Sequence, residues 1–451
     1  MELLQTILSM IVTLGILVAF HEYGHFQVAR WCGVKVLRFS IGFGTPLFRW
    51  YDKQGTEFVI AALPLGGYVK MVDEREGDVA ETDKPYAFNR QSVQKRIAIV
   101  AAGPLANFIL AIAAFWLVFI SGVTGLAPVV GNVVPDSVAE RAGIEVGHEI
   151  VAVDGVETPS WQAVSLQLMH RLGETGTISF VSKHPENSAS FETQTYLNEW
   201  LKGEEEPDLL RGIGLEPYRP VLLPVVGELS ANGPAENAGL QRGDLVLSAN
   251  GIAMDDWQTW VSYVRARPAE IIDIQVDRDG MLLNMQIQPE LATDENGNQF
   301  GRVGMGLQPP TWPESMLRKQ HYGPIGALVA AADRTWELSV FTLGSIKKMI
   351  SGLISPKNLS GPITIAKVAG DSARSGVEAY LSFLALLSVS LGVLNLLPVP
   401  VLDGGHLLFY SIEWIKGSPV SDRIQQFAYQ FGIVIVLSLM IFAFYNDIVR
   451  L

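Results

Sequence analysis

Three scarcities bound what this chain can be. One cysteine, Cys32, excludes any intrachain disulfide, so folding does not depend on an oxidising compartment. Cys32 reads as a small, inert side chain beside the membrane. Charged residues are only 18% of the chain, its formal charge is −13, and no Lys/Arg cluster supplies the basic footprint of a nucleic-acid partner. The start, Met1-Glu-Leu-Leu-Gln5, lacks the positive region of a signal peptide, and no small-residue cleavage site follows the first apolar run. That run is therefore expected to stay in the mature protein.

What is plentiful is apolar and unevenly placed. Hydrophobic residues make up 49% of the 451 positions. They gather in Leu3 to Phe20, Ile97 to Ile120, Leu381 to Leu397 and Phe427 to Phe444. Each run approaches the roughly 20 residues a helix needs to cross a bilayer, and is longer and freer of charge than a core helix. Four membrane spans are expected. Between the first two lie eleven Lys/Arg, from Arg30 to Arg96, whereas Met1 to Phe20 has none. By the positive-inside tendency this segment is cytoplasmic and the N-terminus outside. Alternation then puts Ser121 to Tyr380 outside, Pro398 back at the cytoplasmic face, and Leu451 outside.

The long outer segment repeats itself at an offset of 96 residues. Pro128-Val-Val-Gly131 matches Pro224-Val-Val-Gly227, and Ala142-Gly143, Gly147, Gly155 and Trp161 match Ala238-Gly239, Gly243, Gly251 and Trp257, within 11 identities over 34 ungapped positions. Each copy reads as a strand, an Ala-Gly turn, a second turn, a strand ending in Asp-Gly155 or Asn-Gly251, and a helix near the Trp. The pattern resembles bacterial tandem PDZ domains. Such domains bind extended peptides at a sheet edge, or here merely space and shield something. Gly323 to Gly352 has helical period but holds Asp333, Arg334, Glu337, Lys347 and Lys348, too many charges for a span. An amphipathic helix on the outer membrane surface is expected, or one packed on the second repeat.

The chemistry is concentrated in His21-Glu22-Tyr23-Gly24-His25. On a helix, positions i and i+4 share a face, so both imidazoles can hold one zinc while Glu22 reaches a water there. The motif closes an apolar run, and ionisable residues at membrane depth are costly and functional by default. A catalytic zinc takes three protein ligands and keeps one position open. His148, His170, His184 and His321 lie in the outer segment. The third ligand is therefore sought near Asn395-Leu-Leu-Pro-Val-Pro-Val-Leu-Asp403-Gly-Gly-His406, where Pro398 and Pro400 break the helix. Asp403 and His406 both qualify on spacing.

These motifs together, with Gly103-Pro-Leu-Ala-Asn107 in the second run and Leu359-Ser-Gly-Pro362 before the third, resemble the site-2 protease family of intramembrane zinc metalloproteases over essentially the whole chain. The resemblance implies that Asp403 completes the Zn2+ site with His21 and His25, that Glu22 is the catalytic base, and that Asn395 positions substrate. It also implies membrane-associated β-structure near the zinc, with Gly42, Gly44, Gly66, Gly67 and Tyr68 as substrate contacts. The implied substrates are single-pass membrane proteins of the anti-sigma factor type, already trimmed by a first protease, and remnant signal peptides. The implied place is the lipid bilayer of a bacterial inner membrane, in envelope stress signalling.

The expected fold is a multi-pass α-helical membrane protein of four transmembrane helices, with a membrane-associated β-hairpin region and two α+β PDZ-like domains. Its expected segments are a first helix over 1–31, a cytoplasmic β region over 32–95, a second helix over 96–122 and PDZ-like domains over 123–220 and 221–307. An amphipathic helical region over 308–376, a third helix over 377–405, a cytoplasmic loop over 406–426 and a fourth helix over 427–451 follow. A membrane-tethered PDZ scaffold without protease activity would explain the repeat, but not why His21, Glu22, His25 and Asp403 fall at one membrane depth.

Overall fold

The computed structural model describes residues 2–184, 189–294, 297–309 and 312–450; Met1 and Leu451, at the ends of the first and last expected segments, lie outside these. The first apolar run is part of one unbroken helix, α1 (Glu2–Trp31), because nothing between Phe20 and Trp31 is a helix breaker except Gly24, and Gly24 has a packing reason to be there. An added Cβ at Gly24 would stand 2.2 Å from the carbonyl oxygen of Ala102, so α1 and α2 (Val93–Ser121) touch backbone to backbone at this point.

Between them, within the expected β region, lie β1 (Val36–Tyr51) and β2 (Glu57–Met71), paired antiparallel. Both bend, so that one hairpin makes four rows: 46–51, 57–61, 36–41 and 67–71, with Trp50 opposite Phe58, Phe39 opposite both Phe58 and Val69, and Ile41 opposite both Ile60 and Gly67. The bends fall where Gly42 and Gly44 take φ of +92° and +86°, a region closed to most side chains. Phe39 and Phe58 pack edge-on to Phe26 of α1, which fastens the hairpin to the helix that carries the histidines.

The outer segment opens with β3 (Val123–Leu126). The first repeat then runs β4 (Val130–Val133), α3 (Val138–Arg141), β5 (Glu149–Val153), β6 (Val156–Glu157), α4 (Trp161–His170), β7 (Gly176–Lys183), β8 (Ser190–Leu197), α5 (Leu209–Ile213) and β9 (Leu215–Pro217). The second runs β10 (Val226–Leu229), α6 (Pro234–Asn237), β11 (Leu245–Ala249), β12 (Ile252–Ala253), α7 (Trp257–Arg265), β13 (Ile272–Arg278), β14 (Met281–Ile287), β15 (Glu290–Thr293), β16 (Gln299–Arg302) and β17 (Met305–Leu307). The four-stranded sheets have matching orders, β6-β5-β7-β8 and β12-β11-β13-β14. The matched Asp154-Gly155 and Asn250-Gly251 pairs have positive φ throughout, as a tight hairpin turn requires. Each matched Trp is the first residue of its helix, behind a Ser160 or Asp256 cap.

Two expected boundaries move. Residues 123–126 pair with β18 (Leu317–Gln320), Val123 opposite Gln320, so they belong to a clasp joining the way in and the way out of the tandem rather than to the first repeat. The segment 308–376, expected to be helical, begins with that strand and then holds two helices, α8 (Pro324–Ile350) and α9 (Pro362–Arg374). Nor does α8 pack on the second repeat. Its Ala331 and Leu338 join Ala111, Ala114 and Phe115 of α2 and Ala385, Val389 and Val393 of α10 (Val377–Leu396) in one core. Its charged side meets the first repeat, where Lys348 donates to the carbonyls of His170 and Leu172 and pairs with Glu174 at 2.7 Å.

The expected loop over 406–426 is helical in its first half, as α11 (Asp403–Lys416), because Pro398 and Pro400 end α10 and nothing after Leu402 opposes a new start. The last helix, α12 (Asp422–Val449), is held mainly at its C-terminal end, where the Asp447 carboxylate accepts from the backbone N–H of Gly361, Ile363 and Thr364 at the start of α9. Among the described residues, four helices are long and apolar enough to cross a membrane: Leu4–Trp31, Val93–Ser121, Val377–Leu396 and Asp422–Val449.

In the second repeat, burial would raise the pKa of Asp244. The Arg278 fork, at 2.7 and 2.8 Å, and the Gln241 N–H outweigh it and hold the carboxyl below its usual range. A depressed carboxylate stabilises the fold above its unfolded pKa, and that contribution is lost as pH falls through the folded value. Arg278→Met leaves the Asp244 carboxylate without its fork partner and is expected to destabilise the second repeat. Hydrogen exchange of the β11 and β13 amides in the full-length protein checks both: protection should drop on acidification and in the variant.

Candidate metal centre

The site is built where α1, α2 and the start of α11 meet. His21 and His25, one turn apart on α1, turn their Nε2 atoms to the same point, 3.2 Å from each other. Oδ2 of Asp403 lies 3.2 Å from Nε2 of His21 and 3.5 Å from Nε2 of His25. Among the described residues these three form the one group of potential ligands gathered within 4.8 Å.

The arrangement of protons and lone pairs suits a cation site. Nδ1 of His25 is 2.8 Å from the backbone carbonyl of Ile99, which can only accept, so the His25 proton is on Nδ1. Nδ1 of His21 is 3.1 Å from the side-chain amide of Asn107. With that amide turned oxygen-first, the His21 proton is on Nδ1 too, and the turn gives a partner to an Asn107 oxygen that is otherwise buried without one. Both Nε2 atoms then present lone pairs, and Asp403 Oδ2 is buried with no hydrogen-bond donor. The two Nε2 atoms and Oδ2 of Asp403, converging within 3.5 Å of one another, offer a cation three donor atoms. Two imidazoles and a carboxylate, each imidazole oriented through its other nitrogen, are a donor set suited to zinc.

Local sequence explains the geometry. Pro104 cannot donate to the carbonyl of Val100, which opens the α2 ladder next to Ile99. A Cβ at Gly103 would lie 2.2 Å from Nε2 of His25 and 2.9 Å from Cε1 of His21, so only glycine lets α2 pass behind the ligands. At Gly404 and Gly405 a Cβ would meet the carbonyls of Leu397 and Val399 at 2.2 and 2.4 Å, so the two glycines after Asp403 let α11 start against the chain that leaves α10. Ser388 of α10 donates to the carbonyl of Asn107 at 2.7 Å and locks that turn of α2.

Of the other expected site residues, the structure brings some together and not others. Glu22 borders the pair and packs against the hairpin, its Cγ 2.9 Å from where a Cβ of Gly67 would stand. Row 67–71, with Gly67 and Tyr68, is an outer row of the hairpin sheet, and Tyr68 stacks on Phe43 with ring centroids 6.1 Å apart. Gly42, Gly44 and Gly66 mark the bends of the hairpin. Asn395 is half-buried in the last turn of α10 and bonds to neither histidine nor Asp403. His406 is set aside from the ligands, stacked on Tyr410 one turn along α11. Sequence reasoning gave Asn107, Ile99 and Gly103 no role. Asn107 carried a signal, an amide inside an apolar span; a backbone carbonyl such as that of Ile99 carries none.

Two oriented imidazoles and a buried carboxylate, set among helices long enough to cross a bilayer, define a metallopeptidase-type centre within a membrane protein. Residues 9–439 match Peptidase family M50, and the chain belongs to that family. It is a zinc-dependent intramembrane metalloprotease. Relatives of full length include the regulator of sigma-E protease RseP of Escherichia coli K12, 46% identical over 451 residues, and that of Salmonella typhimurium 14028s, 45% identical over 452 residues, with all of both chains covered in each case. A Vibrio cholerae relative, 41% identical over 451 residues and again covering all of both chains, bears the name of a zinc metalloprotease. Among solved structures, a PDZ domain of an SdrC-like protein from Listeria monocytogenes is similar, with 20% identity, a TM-score of 0.17, and 20% of this chain and 92% of that one covered.

Proposed function

We propose that His21, His25 and Asp403 hold the zinc and that Glu22 is the base in hydrolysis of peptide bonds within transmembrane segments. The observation that carries this is the unpartnered Asp403 oxygen facing two Nε2 lone pairs inside a helical bundle. Zinc bound there supplies Lewis acidity toward a peptide carbonyl and toward water. Glu22 takes a proton from the attacking water and returns it to the leaving amine nitrogen. His25 and His21 keep their protons on Nδ1, held by Ile99 and Asn107, so neither competes as the base. A helical substrate has its carbonyls already bonded and must unwind to be cut. The outer row 67–71 beside Glu22 offers an unwound segment replacement partners, with Asn395 as a further polar contact.

In this reading the hairpin faces the cytoplasm and both termini and the two repeats, as PDZ-like domains, stand outside, in the inner membrane of a bacterium. The substrates are single-pass proteins of the anti-sigma factor type, a class consistent with the name that the RseP relatives bear. The repeats act as a size filter against a bulky outer domain, with peptide binding as the rival role. The first repeat is well placed to obstruct: Glu205 pairs with Lys357 at 2.5 Å and Glu206 with Arg450 at 2.9 Å, across the outer ends of the helices. Cleavage of a tagged single-pass substrate, long and trimmed, by the whole chain and by a deletion of 128–307 tests it. The filter requires that the deletion begin to cut the long form. Continued rejection of the long form together with lost cutting of the trimmed one would favour recognition, and no cutting of either by the whole chain would end the protease reading.

A further inference from the structure

Residues Arg96, Ile99, Gly103 and Asn107 are spaced i, i+3, i+7 and i+11, so they share one face of α2. Three of them touch the ligand histidines: Ile99 and Asn107 by hydrogen bonds and Gly103 by close approach. The fourth reaches another element. Arg96 is buried, and its Nη2 and Nη1 donate to Oε1 and Oε2 of Glu413 at 2.7 and 3.2 Å, with side chains only 10% and 15% exposed. Its Nε donates to the carbonyl of Gln91, and its guanidinium centre lies 4.8 Å over the ring of Tyr410.

Glu413 sits on α11, the helix that begins with Asp403. Asp403, His406, Tyr410 and Glu413 are spaced i, i+3, i+7 and i+10 and share one face, whereas Leu408, Ile412 and Ile415 on the other side are exposed. From Asp403 to Glu413 the helix rises about 15 Å. Nothing caps the start of α11 through a side chain, so Asp403 is placed by where the rest of α11 is held.

Resting on the metal reading above, we infer that Arg96 and Glu413 are positioning residues for the zinc site, a two-point clamp that sets the register of α11 on α2 and so brings Asp403 to the histidines held by the same face. A buried ion pair returns little net stability, because desolvation of both charges offsets their attraction; what it does supply is a defined register. A slip of α11 by one turn, about 5.4 Å, would carry Asp403 out of bonding reach of both Nε2 atoms.

Chelator competition on the purified full-length chain, wild type and variants, tests this without using activity. Glu413→Gln keeps the shape and removes the charge; it is expected to weaken zinc binding about 10- to 100-fold, the usual effect of losing a group that orients a ligand. In an Asp403→Ala background the same change is expected to add no further loss, because the clamp acts through Asp403. Arg96→Lys keeps the charge but not the fork, and is expected to fall between wild type and Glu413→Gln; it carries the test if Glu413→Gln does not fold. Wild-type affinity in both single variants, or an equal loss with and without Asp403, overturns the clamp while leaving the metal site standing. A wild-type chain that binds no zinc overturns the metal reading and this inference with it.

Discussion

Glu22→Gln is expected to retain zinc and lose cleavage. The substitution keeps the volume that packs against Gly67 and leaves all three ligand atoms in place. Among the described residues it takes away a carboxylate that borders the histidines without being one of the gathered ligands. General acid–base catalysis supplies roughly 10²–10⁴-fold, and the loss should be at least that. Metal content and cleavage of a tagged single-pass substrate, measured on the same preparation, check both halves. Near-normal turnover in this variant would reject Glu22 as the base.

The second large effect separates two residues that spacing leaves equal. Asp403→Ala removes the one anionic ligand and leaves two neutral imidazoles, so zinc occupancy should fall and cleavage should disappear. His406→Ala removes a ring stacked on Tyr410, an interaction of about 0.5–1.5 kcal/mol, and should leave zinc bound. Metal analysis of both variants after dialysis decides between them. Zinc lost from His406→Ala and kept in Asp403→Ala would reverse the assignment while leaving the enzyme class intact.

Why spacing alone fixed one half of the site and left Asp403 and His406 open for the other follows from what each half depends on. His21 and His25 lie on a single helix, where a spacing of four residues fixes their shared face. Asp403 reaches them from a different helix, and its position depends on where α10 ends, how tightly Gly404 and Gly405 let α11 turn, and where α11 docks. The repeat was visible because Asp154-Gly155 and Asn250-Gly251 need left-handed backbone that few other residues tolerate. The four-row folding of β1 and β2 was hidden, since pairing partners in a sheet are set by tertiary packing on Phe26 and not by local pattern. The charges of α8 ruled it out as a span, but its partners could not be read: Ala331 is a small residue whose use, packing against α2 and α10, shows only in three dimensions.

In the proposed site, two α1 histidines and the first carboxylate of α11 together hold one zinc. X-ray absorption at the zinc edge of the purified full-length protein tests it most directly. The expected shell has two imidazole nitrogens at about 2.0–2.1 Å and carboxylate oxygen at about 2.0–2.2 Å, with the carboxylate contribution lost in Asp403→Ala. A sulfur neighbour at about 2.3 Å, for which Cys32 is the one available thiol, or a shell without imidazole, would contradict it.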